Sequence, residues 1–423
     1  MAKPKLALIP ATQGSKLYSV LPADGVGDFT FSRNSAATRI NKDGLIETVA
    51  SGVSRLNYPL IDGVVNGCPS HLLEPSRLQK IQYSEDFSQG YWIKQASTIN
   101  SNNAISPDGT LNADLYTTSS ATFDFIQTTS SFIVSGYSFS VFAKKGTSDK
   151  IDLALSGTAF TDARSVRFDL TNKTTETLGG ILSSKIEEYP NGWMRCSVYA
   201  VTNTSGSGTI RILSGSSNNV STLYLYGAQL EQGSYPTSYI PNYGTSAGIT
   251  RSAETATGAG DASTFNDSEG VLMAELSIDA NDGNFRFLSI SDGTNSNAVW
   301  VYYRSDANQI NFRVIVGGVS SFDDIYTINN ATENTKLLLK YKENDFSAWV
   351  NGFEVLTDNS GITFSSNVLN ELEFNRPDGI NNFYGNTKQI QYFDSALTDS
   401  DLETLTSWTS FTDLANGQQY SIK

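Results

Sequence analysis

The chain has 423 residues, with 43 acidic against 29 basic side chains and a formal net charge of −14. Hydrophobic residues make up 39% and aromatic residues 11%, which is enough apolar material for globular cores, whereas only 17% of residues are charged. The length fits two or three domains of ordinary size. Because the acidic balance repels nucleic-acid phosphates and anionic membrane surfaces, neither class of partner is expected.

Cysteine usage and the start of the chain bear on the cellular compartment. Cys68 and Cys196 lie far apart and outside any CxxC or Cys/His spacing, so we expect free thiols and no metal site. The short apolar run near the start is interrupted by Pro10, which argues against a secretory signal. No stretch approaches the roughly 18 apolar residues of a membrane helix. These features predict synthesis in the cytoplasm, no membrane insertion and no cofactor.

Residues 1–78, hereafter the lead-in, contain turn dipeptides and little apolar sequence. Asp43-Gly44 between Thr38–Ile40 and Leu45–Glu47 predicts a β-hairpin. Prolines such as Pro22, Pro59, Pro69 and Pro75 and the scarcity of apolar runs leave too little material for an independent core. We therefore expect the lead-in to dock on something larger.

Residues 79–254 show the alternating pattern and polar turns of a β-sandwich. The predicted strands are Thr122–Thr128, Ser138–Ala143, Lys150–Leu155, Ser165–Leu170, Met194–Thr202, Gly208–Leu213 and Thr222–Leu230.

Residues 255–267 are rich in Gly, Ala, Ser and Thr, which predicts a linker. Residues 268–423 again read as strands, followed by a short helix whose start is predicted from a capping box of Ser400 and Glu403. The predicted strands are Gly270–Ile278, Phe285–Ser291, Ala298–Arg304, Gln309–Val316, Thr335–Lys342, Asp345–Val350 and Phe353–Leu356.

Four sequence words resemble, in order and spacing, a recurring series in bacteriophage virion proteins, especially tail-fibre, head-fibre and spike proteins. They are FSRNSAATRINKDGLIE (31–47), SHLLEPSR (70–77), YSEDFSQGYW (83–92) and YGAQLEQGSYPTSYIP (226–241). The resemblance covers about the first 250 residues. It implies that the lead-in is a virion-attachment region that joins capsid, portal or tail proteins. It further implies a location on the surface of the phage particle and a homo-oligomer, specifically a trimer.

Each predicted sandwich also resembles a known domain type. Asp86-Phe87 followed by Trp92 is similar to the opening strand of carbohydrate-binding jelly rolls, although Ala228 and Gln229 stand where their calcium-binding acid is expected. Lys336–Val355 resembles the laminin-G and concanavalin A-like lectin sandwich. The resemblances and the strand pattern together predict an all-β chain of tandem antiparallel β-sandwiches of jelly-roll type, preceded by an extended N-terminal attachment region.

Residues suited to catalysis are scarce. His71 is the only histidine, so a histidine-assisted nucleophile has a single candidate base, and we interpret it as a packing or surface residue. Glu371 and Glu373 project from one face of a strand, as two acids flanking a sugar bond would. With 43 acids in the chain such pairs also arise by chance. The sequence therefore predicts no catalytic residue and no enzyme.

Aromatic side chains are the candidate ligand-binding residues. A flat ring stacks on the apolar face of a sugar while neighbouring polar groups hydrogen bond to hydroxyls. We predict carbohydrate contacts from Tyr91 and Trp92 in the first sandwich and from Trp300 and Tyr302 in the second. Trp300 and Tyr302 share one face of a strand and are predicted to be exposed, since the other face points to the core. That inward set is Val299, Val301 and Tyr303.

The functional hypothesis is a non-enzymatic phage virion protein, a fibre or spike, that binds host-surface polysaccharide through its sandwiches. One alternative is a purely structural capsid decoration or tail component that binds no glycan. A second alternative is a glycan-degrading enzyme that uses Glu371 and Glu373.

Overall fold

The structure is a computed structural model that describes residues 3–8, 19–21, 29–119, 123–215 and 219–408, with the backbone alone for residues 19–21. Strands dominate these ranges, which confirms the predicted all-β class. Their one α-helix is α1 (Asp399–Ser407). No helix within the described ranges has the length and apolar character needed to cross a membrane.

The lead-in consists of short strands, some of which pair with each other and some with other parts of the chain. They are β1 (Leu6–Leu8), β2 (Ser19–Leu21), β3 (Thr30–Ser32), β4 (Ala37–Ile40), β5 (Ile46–Val49), β6 (Arg55–Asn57), β7 (Leu60–Ile61), β8 (Val64–Val65), β9 (Ser70–Leu73) and β10 (Arg77–Gln79). Strands β4 and β5 form the predicted hairpin, with Ile40 opposite Ile46. Its turn is held by Asn41 Oδ1, which accepts hydrogen bonds from the backbone N–H groups of Asp43 and Leu45.

Two six-stranded antiparallel sheets form the first sandwich. Its strands are β11 (Ile93–Gln95), β12 (Ser97–Ile105), β13 (Leu111–Thr118), β14 (Phe125–Phe132), β15 (Gly136–Lys145), β16 (Lys150–Ser156), β17 (Arg164–Asp169), β18 (Thr174–Thr177), β19 (Ser183–Tyr189), β20 (Trp193–Val201), β21 (Gly206–Leu213) and β22 (Thr222–Gln232). The front sheet has the order β11-β14-β21-β16-β17-β18, and the back sheet has the order β12-β13-β22-β15-β20-β19. All seven strands predicted for this region are present, and Thr122, the predicted start of the first, lies outside the described residues.

The core of the first sandwich lies between the two sheets because alternate residues of each strand point inward. Ile126 of β14 and Ile212 of β21 are fully buried there, whereas their chain neighbours point away from the core. The back sheet contains a bulge where β22 passes β15. Gly227 adopts φ +62° at this point, and a Cβ atom there would lie 2.9 Å from the Phe142 ring, so this position requires glycine.

The second sandwich follows two short connecting strands. The strands are β23 (Ile249–Arg251), β24 (Thr255–Thr257), β25 (Glu269–Ser277), β26 (Arg286–Ser291), β27 (Ala298–Tyr303), β28 (Gln309–Val316), β29 (Val319–Thr327), β30 (Thr335–Lys342), β31 (Phe346–Val350), β32 (Phe353–Asp358), β33 (Glu371–Glu373) and β34 (Gly385–Phe393). One sheet has five strands in the order β29-β28-β27-β26-β33. The other has nine strands along the path β2-β1-β34-β25-β30-β31-β32, with β9 added to β34 and β6 to β9.

The lead-in therefore docks on the second sandwich. Strand β1 pairs with β34, with Leu6 opposite Tyr392, and β9 pairs with the start of β34. Leu6, Leu8 and Leu73 are buried in the second sandwich's core. The lead-in needs no core of its own, because its strands extend a sheet of the second sandwich and its few apolar residues are buried there.

The segment interpreted as a linker, residues 255–267, is packed onto its surroundings. Strand β24 pairs with β3 of the lead-in. Ala256, Ala259 and Phe265 are buried in the core of the second sandwich. Small residues suit this segment because they let its backbone lie close to the sheet. Composition alone does not distinguish such a packed segment from a flexible linker.

A buried ion-pair network joins the lead-in to the connecting strands. Arg33 Nη1 donates to Glu254 Oε1 at 2.6 Å, and Arg55 donates to both Glu254 and Glu74. Arg251 donates to Glu74, and all five side chains are buried. Three guanidinium groups thus share two carboxylates away from water, which is stable only when hydrogen bonds satisfy the charges. These residues lie in the sequence words SRN (32–34), SRL (54–56), LEP (73–75) and TRSAE (250–254), where the lead-in contacts the connecting segment.

The C-terminal helix begins slightly earlier than predicted. Thr398 is the N-cap of α1, and its hydroxyl accepts a hydrogen bond from the backbone N–H of Asp401. The expected capping box of Ser400 and Glu403 lies within the helix instead. Leu402 and Leu405 are buried against strands β30 and β31, as an apolar helix stripe requires.

Candidate functional site

The front sheet of the first sandwich presents an outer face on which aromatic and polar side chains meet. In β14, Ile126 points to the core while Phe125 and Gln127 point outward. Gln127 lies opposite Arg211 of β21, and Arg211 lies opposite Ala154 of β16. Strand pairing thus places an amide, a guanidinium and a small side chain in one row across the sheet.

Two phenylalanine rings border this row. Phe123 is 57% exposed, and its ring centroid lies 5.6 Å from that of half-buried Phe125 in an edge-to-face arrangement. The Arg211 guanidinium carbon lies 4.5 Å from the Phe125 ring centroid and 5.7 Å from that of Phe123. Gln127 Oε1 accepts hydrogen bonds from Arg211 Nε at 2.9 Å and Nη2 at 2.7 Å. We call Phe123, Phe125, Gln127 and Arg211 the Phe–Arg face.

A second row on the same sheet ends in an ion pair. Asp152 of β16 accepts two hydrogen bonds from Arg167 of β17, both at 2.9 Å. Burial raises the pKa of Asp152, opposed by Arg167, whereas the hydrogen bond to Asp152 raises the pKa of Arg167. The face therefore offers an exposed apolar ring beside fixed hydrogen-bond donors and acceptors, which is the combination that a sugar ring with its hydroxyls requires.

Trp92 does not line any surface. It is 1% exposed, lies in the core of the first sandwich against Phe87, and donates its indole N–H to the Tyr83 carbonyl at 2.9 Å. The prediction that it is available for carbohydrate contact is wrong. A tryptophan at an opening strand fills the end of the sandwich because its volume is needed there and its N–H finds a backbone acceptor.

Trp300 and Tyr302 lie on the predicted face of β27 but are not exposed as predicted. Their exposed fractions are 5% and 6%, while the opposite residues Val299, Val301 and Tyr303 fill the core. The ring of Phe287 stacks on Tyr302 at 4.1 Å and 8°, and the Arg313 guanidinium lies 5.7 Å from the Trp300 ring. Side chains of the two flanking strands thus cover both aromatics, so neither presents an open ring face.

Tyr91 is half-buried beside Tyr83, with 6.0 Å between the two ring centroids. Tyr83 lines a cavity of about 290 Å³ in the first sandwich. The same cavity is lined by Glu85, Asp114 and Tyr243. Burial raises the pKa of Glu85, and it raises that of Asp114 to about 6. Among the part of the chain that the structure describes, no group of three or more His, Cys, Asp or Glu side chains is placed to hold a metal ion.

Glu371 and Glu373 point to the same side of β33, as predicted, because Leu372 between them is in the core. Burial raises the pKa of Glu373 to about 7, and the adjacent Glu371 carboxylate adds to the shift. Glu373 lies opposite Ser289 of β26, which in turn lies opposite Trp300. The pair is therefore next to the covered aromatic cluster of the second sandwich.

His71 is a packing residue. It is fully buried between the rings of Phe31 and Phe374, with centroid distances of 6.0 and 5.8 Å. Burial lowers its pKa to about 3, and the Arg55 charge adds to the shift. A neutral imidazole enclosed by apolar rings cannot exchange protons with a substrate, so it provides no base for a catalytic nucleophile.

Sequence reasoning missed the Phe–Arg face. Phe123, Phe125 and Gln127 fall at every second position of the sequence leading into β14, which is a period-two signal. Arg211 lies on another strand, 84 residues from Gln127, and no local pattern connects the two. The predicted residues include two tryptophans, whose large apolar surface more often fills cores than faces solvent.

No protein-family model matches the sequence, and no curated protein matches it significantly. Among solved structures, the chain is similar to the sialyllactose-bound CBM40 of Ruminococcus gnavus IT-sialidase, with 16% identity, 36% of this chain and 93% of that chain covered, and a TM-score of 0.30. Domain 4 of the Geobacillus stearothermophilus arabinanase AbnA is 13% identical, with 36% of this chain and 73% of that chain covered and a TM-score of 0.29. Domains LG4-5 of the mouse laminin alpha1 chain are 12% identical, with 81% of this chain and 96% of that chain covered and a TM-score of 0.25. The β-sandwich assignment rests on the strand pairing of this chain itself.

Proposed function

We propose that this chain is a non-enzymatic glycan-binding protein that holds a sugar ring on the Phe–Arg face. The exposed Phe123 ring next to the hydrogen-bonded Arg211 and Gln127 side chains is the observation that carries the proposal. Phe123 would stack on the apolar face of the sugar, and the amide and guanidinium would bind its hydroxyls. Contacts of this size give weak single-site affinity, which many copies on one particle would raise through avidity.

The setting proposed for this binding is a phage particle. The sequence words shared with fibre and spike proteins support it, and they imply capsid, portal or tail proteins as partners and a trimeric assembly. Ile61 and Val64 of the β7–β8 hairpin are 56% and 65% exposed, which suits a contact with such a partner. Electron microscopy of particles labelled on this protein is expected to place the label on the virion surface, and label absent from purified particles would refute the setting.

A glycan array with purified full-length protein tests the binding. We expect the wild type to bind a subset of glycans and Phe123→Ala to weaken binding on the order of tenfold, because the stacking surface is lost. Phe353→Ala is the matched control, since Phe353 is a 72% exposed phenylalanine on the second sandwich. Its binding should equal that of the wild type.

Two outcomes would overturn this proposal. If the wild type binds no glycan while the chain still joins particles, the purely structural alternative is correct. If the protein releases reducing ends from a bound polysaccharide and Glu373→Gln abolishes the release, the enzymatic alternative is correct.

A further inference from the structure

Arg211 is an unpaired cation on a strongly acidic chain. Within residues 123–215 and 219–408, its only hydrogen-bond acceptor is the neutral amide of Gln127, and it forms no ion pair. Arg167, on the same face of the same sheet, is by contrast fully matched by Asp152. A guanidinium has five N–H groups, so the contacts to Gln127 leave Nη1 and part of Nη2 free.

The free edge of Arg211 is held in position. The guanidinium carbon lies 4.5 Å from the Phe125 ring centroid, and two hydrogen bonds to one amide oxygen fix the rotation of the guanidinium. Ala154, the residue opposite it on β16, is too small to cover it. Partial burial removes this guanidinium from some of its water, which lowers the pKa of Arg211. A positioned guanidinium fork of this kind matches the two oxygens of a carboxylate.

We infer that the Phe–Arg face selects acidic glycans, with Arg211 pairing to the carboxylate of a sugar acid while Phe123 stacks on a sugar ring. This inference rests on the proposed glycan binding and adds the substrate class to it. The remaining chain carries a net negative charge, so binding of a polyanion depends on this one local cation. Arg211 then determines the specificity for acidic sugars, whereas Phe123 contributes to the binding of acidic and neutral sugars alike.

The test compares a uronic-acid polysaccharide with its carboxyl-reduced form, which keeps the same linkages and loses only the charge. We expect the wild-type chain to bind the acidic polymer about 10- to 100-fold more tightly, as a charge-assisted hydrogen-bonded pair predicts. Arg211→Gln should abolish this preference, because the acidic polymer loses an ion pair whereas the reduced polymer loses only hydrogen bonds from the guanidinium to its hydroxyls. Arg211→Lys keeps the charge without the fork and should retain only part of the preference.

Three further measurements make the result specific. Arg313→Gln, a change at an ion-paired arginine of the second sandwich, should leave the preference intact. Phe123→Ala should weaken binding of both polymers by a similar factor. The preference of the wild type should shrink as salt is raised, because a partly exposed ion pair is screened.

The outcomes separate this inference from the proposed function. Equal wild-type affinity for the acidic and reduced polymers, or a preference that survives Arg211→Gln, would refute selection by Arg211 while leaving glycan binding in place. Failure of the wild type to bind either polymer or any glycan on an array would refute both.

Discussion

Removing one carboxylate from the buried arginine–glutamate network should destabilise the junction of lead-in and second sandwich. In Glu254→Gln the volume is preserved, but Arg33 and Arg55 lose the charge to which both donate. Three guanidiniums then share the single carboxylate of Glu74. Breaking a buried ion pair in this way costs about 3–5 kcal/mol, because the remaining charges stay desolvated without compensation.

The expected loss is large enough to measure by thermal unfolding. For a unit of this size, about 3–5 kcal/mol corresponds to a decrease in Tm of about 6–20 °C. The matched control is Glu47→Gln, which breaks the exposed pair with Arg39 and should cost under about 1 kcal/mol. Amide hydrogen exchange should rise in β3 and β24, the strands that the network joins, before it rises in the first sandwich.

A double variant distinguishes lost charge balance from lost packing. Replacing Arg33 together with Glu254 by methionine removes one charge of each sign and should recover part of the stability lost in Glu254→Gln. If Glu254→Gln unfolds within about 2 °C of the wild type, as an exposed pair would, the reasoning from buried charge is refuted.

Two more predictions follow from single buried groups. Because the folded pKa of Glu373 is about 7 against an ordinary 4.5, its contribution to stability is fully present below pH 4.5 and falls by roughly 3 kcal/mol as pH rises to 7. Glu371→Gln should reduce this fall. Urea unfolding at several pH values between 4.5 and 7 measures it, and the same pH dependence of the unfolding free energy in both proteins would contradict a shift caused by Glu371. Of the two free thiols, Cys68 is exposed and Cys196 is buried, where burial raises its pKa. A thiol reagent should therefore modify one cysteine per native chain and two in denaturant, and modification of both in the native state would show that the core around Cys196 opens.

The strand pattern was legible in the sequence because it depends on local alternation. All fourteen strands predicted for the two sandwiches occur, with ends shifted by only a few residues, since apolar residues at every second position must face a core whatever the remaining topology. The turn at Asp43-Gly44 is local in the same sense. Strands with mostly polar residues, such as β12 and β18, escaped this reasoning because neither of their faces is strongly apolar.

The role of the lead-in could be predicted only in part. Its low apolar content indicated that it docks on a larger body, but pairing of Leu6–Leu8 with β34 joins segments almost a full chain length apart. Arg33 and Arg55 likewise pair with Glu254 of the connecting segment, which is 221 and 199 residues away from them. Long-range pairs of this kind leave no periodic signal.

The sequence by itself determined that this chain is an acidic, all-β protein of tandem sandwiches, because composition and alternation fix which residues are buried within each strand. It also determined the faces of β27, placing Trp300 and Tyr302 opposite the core. Only the tertiary structure decided that neighbouring strands cover those two rings, and that Phe123 stays open beside Arg211. Exposure depends on which side chains of the adjacent strands lie over a ring on the same face of the sheet, and alternation within one strand does not show this.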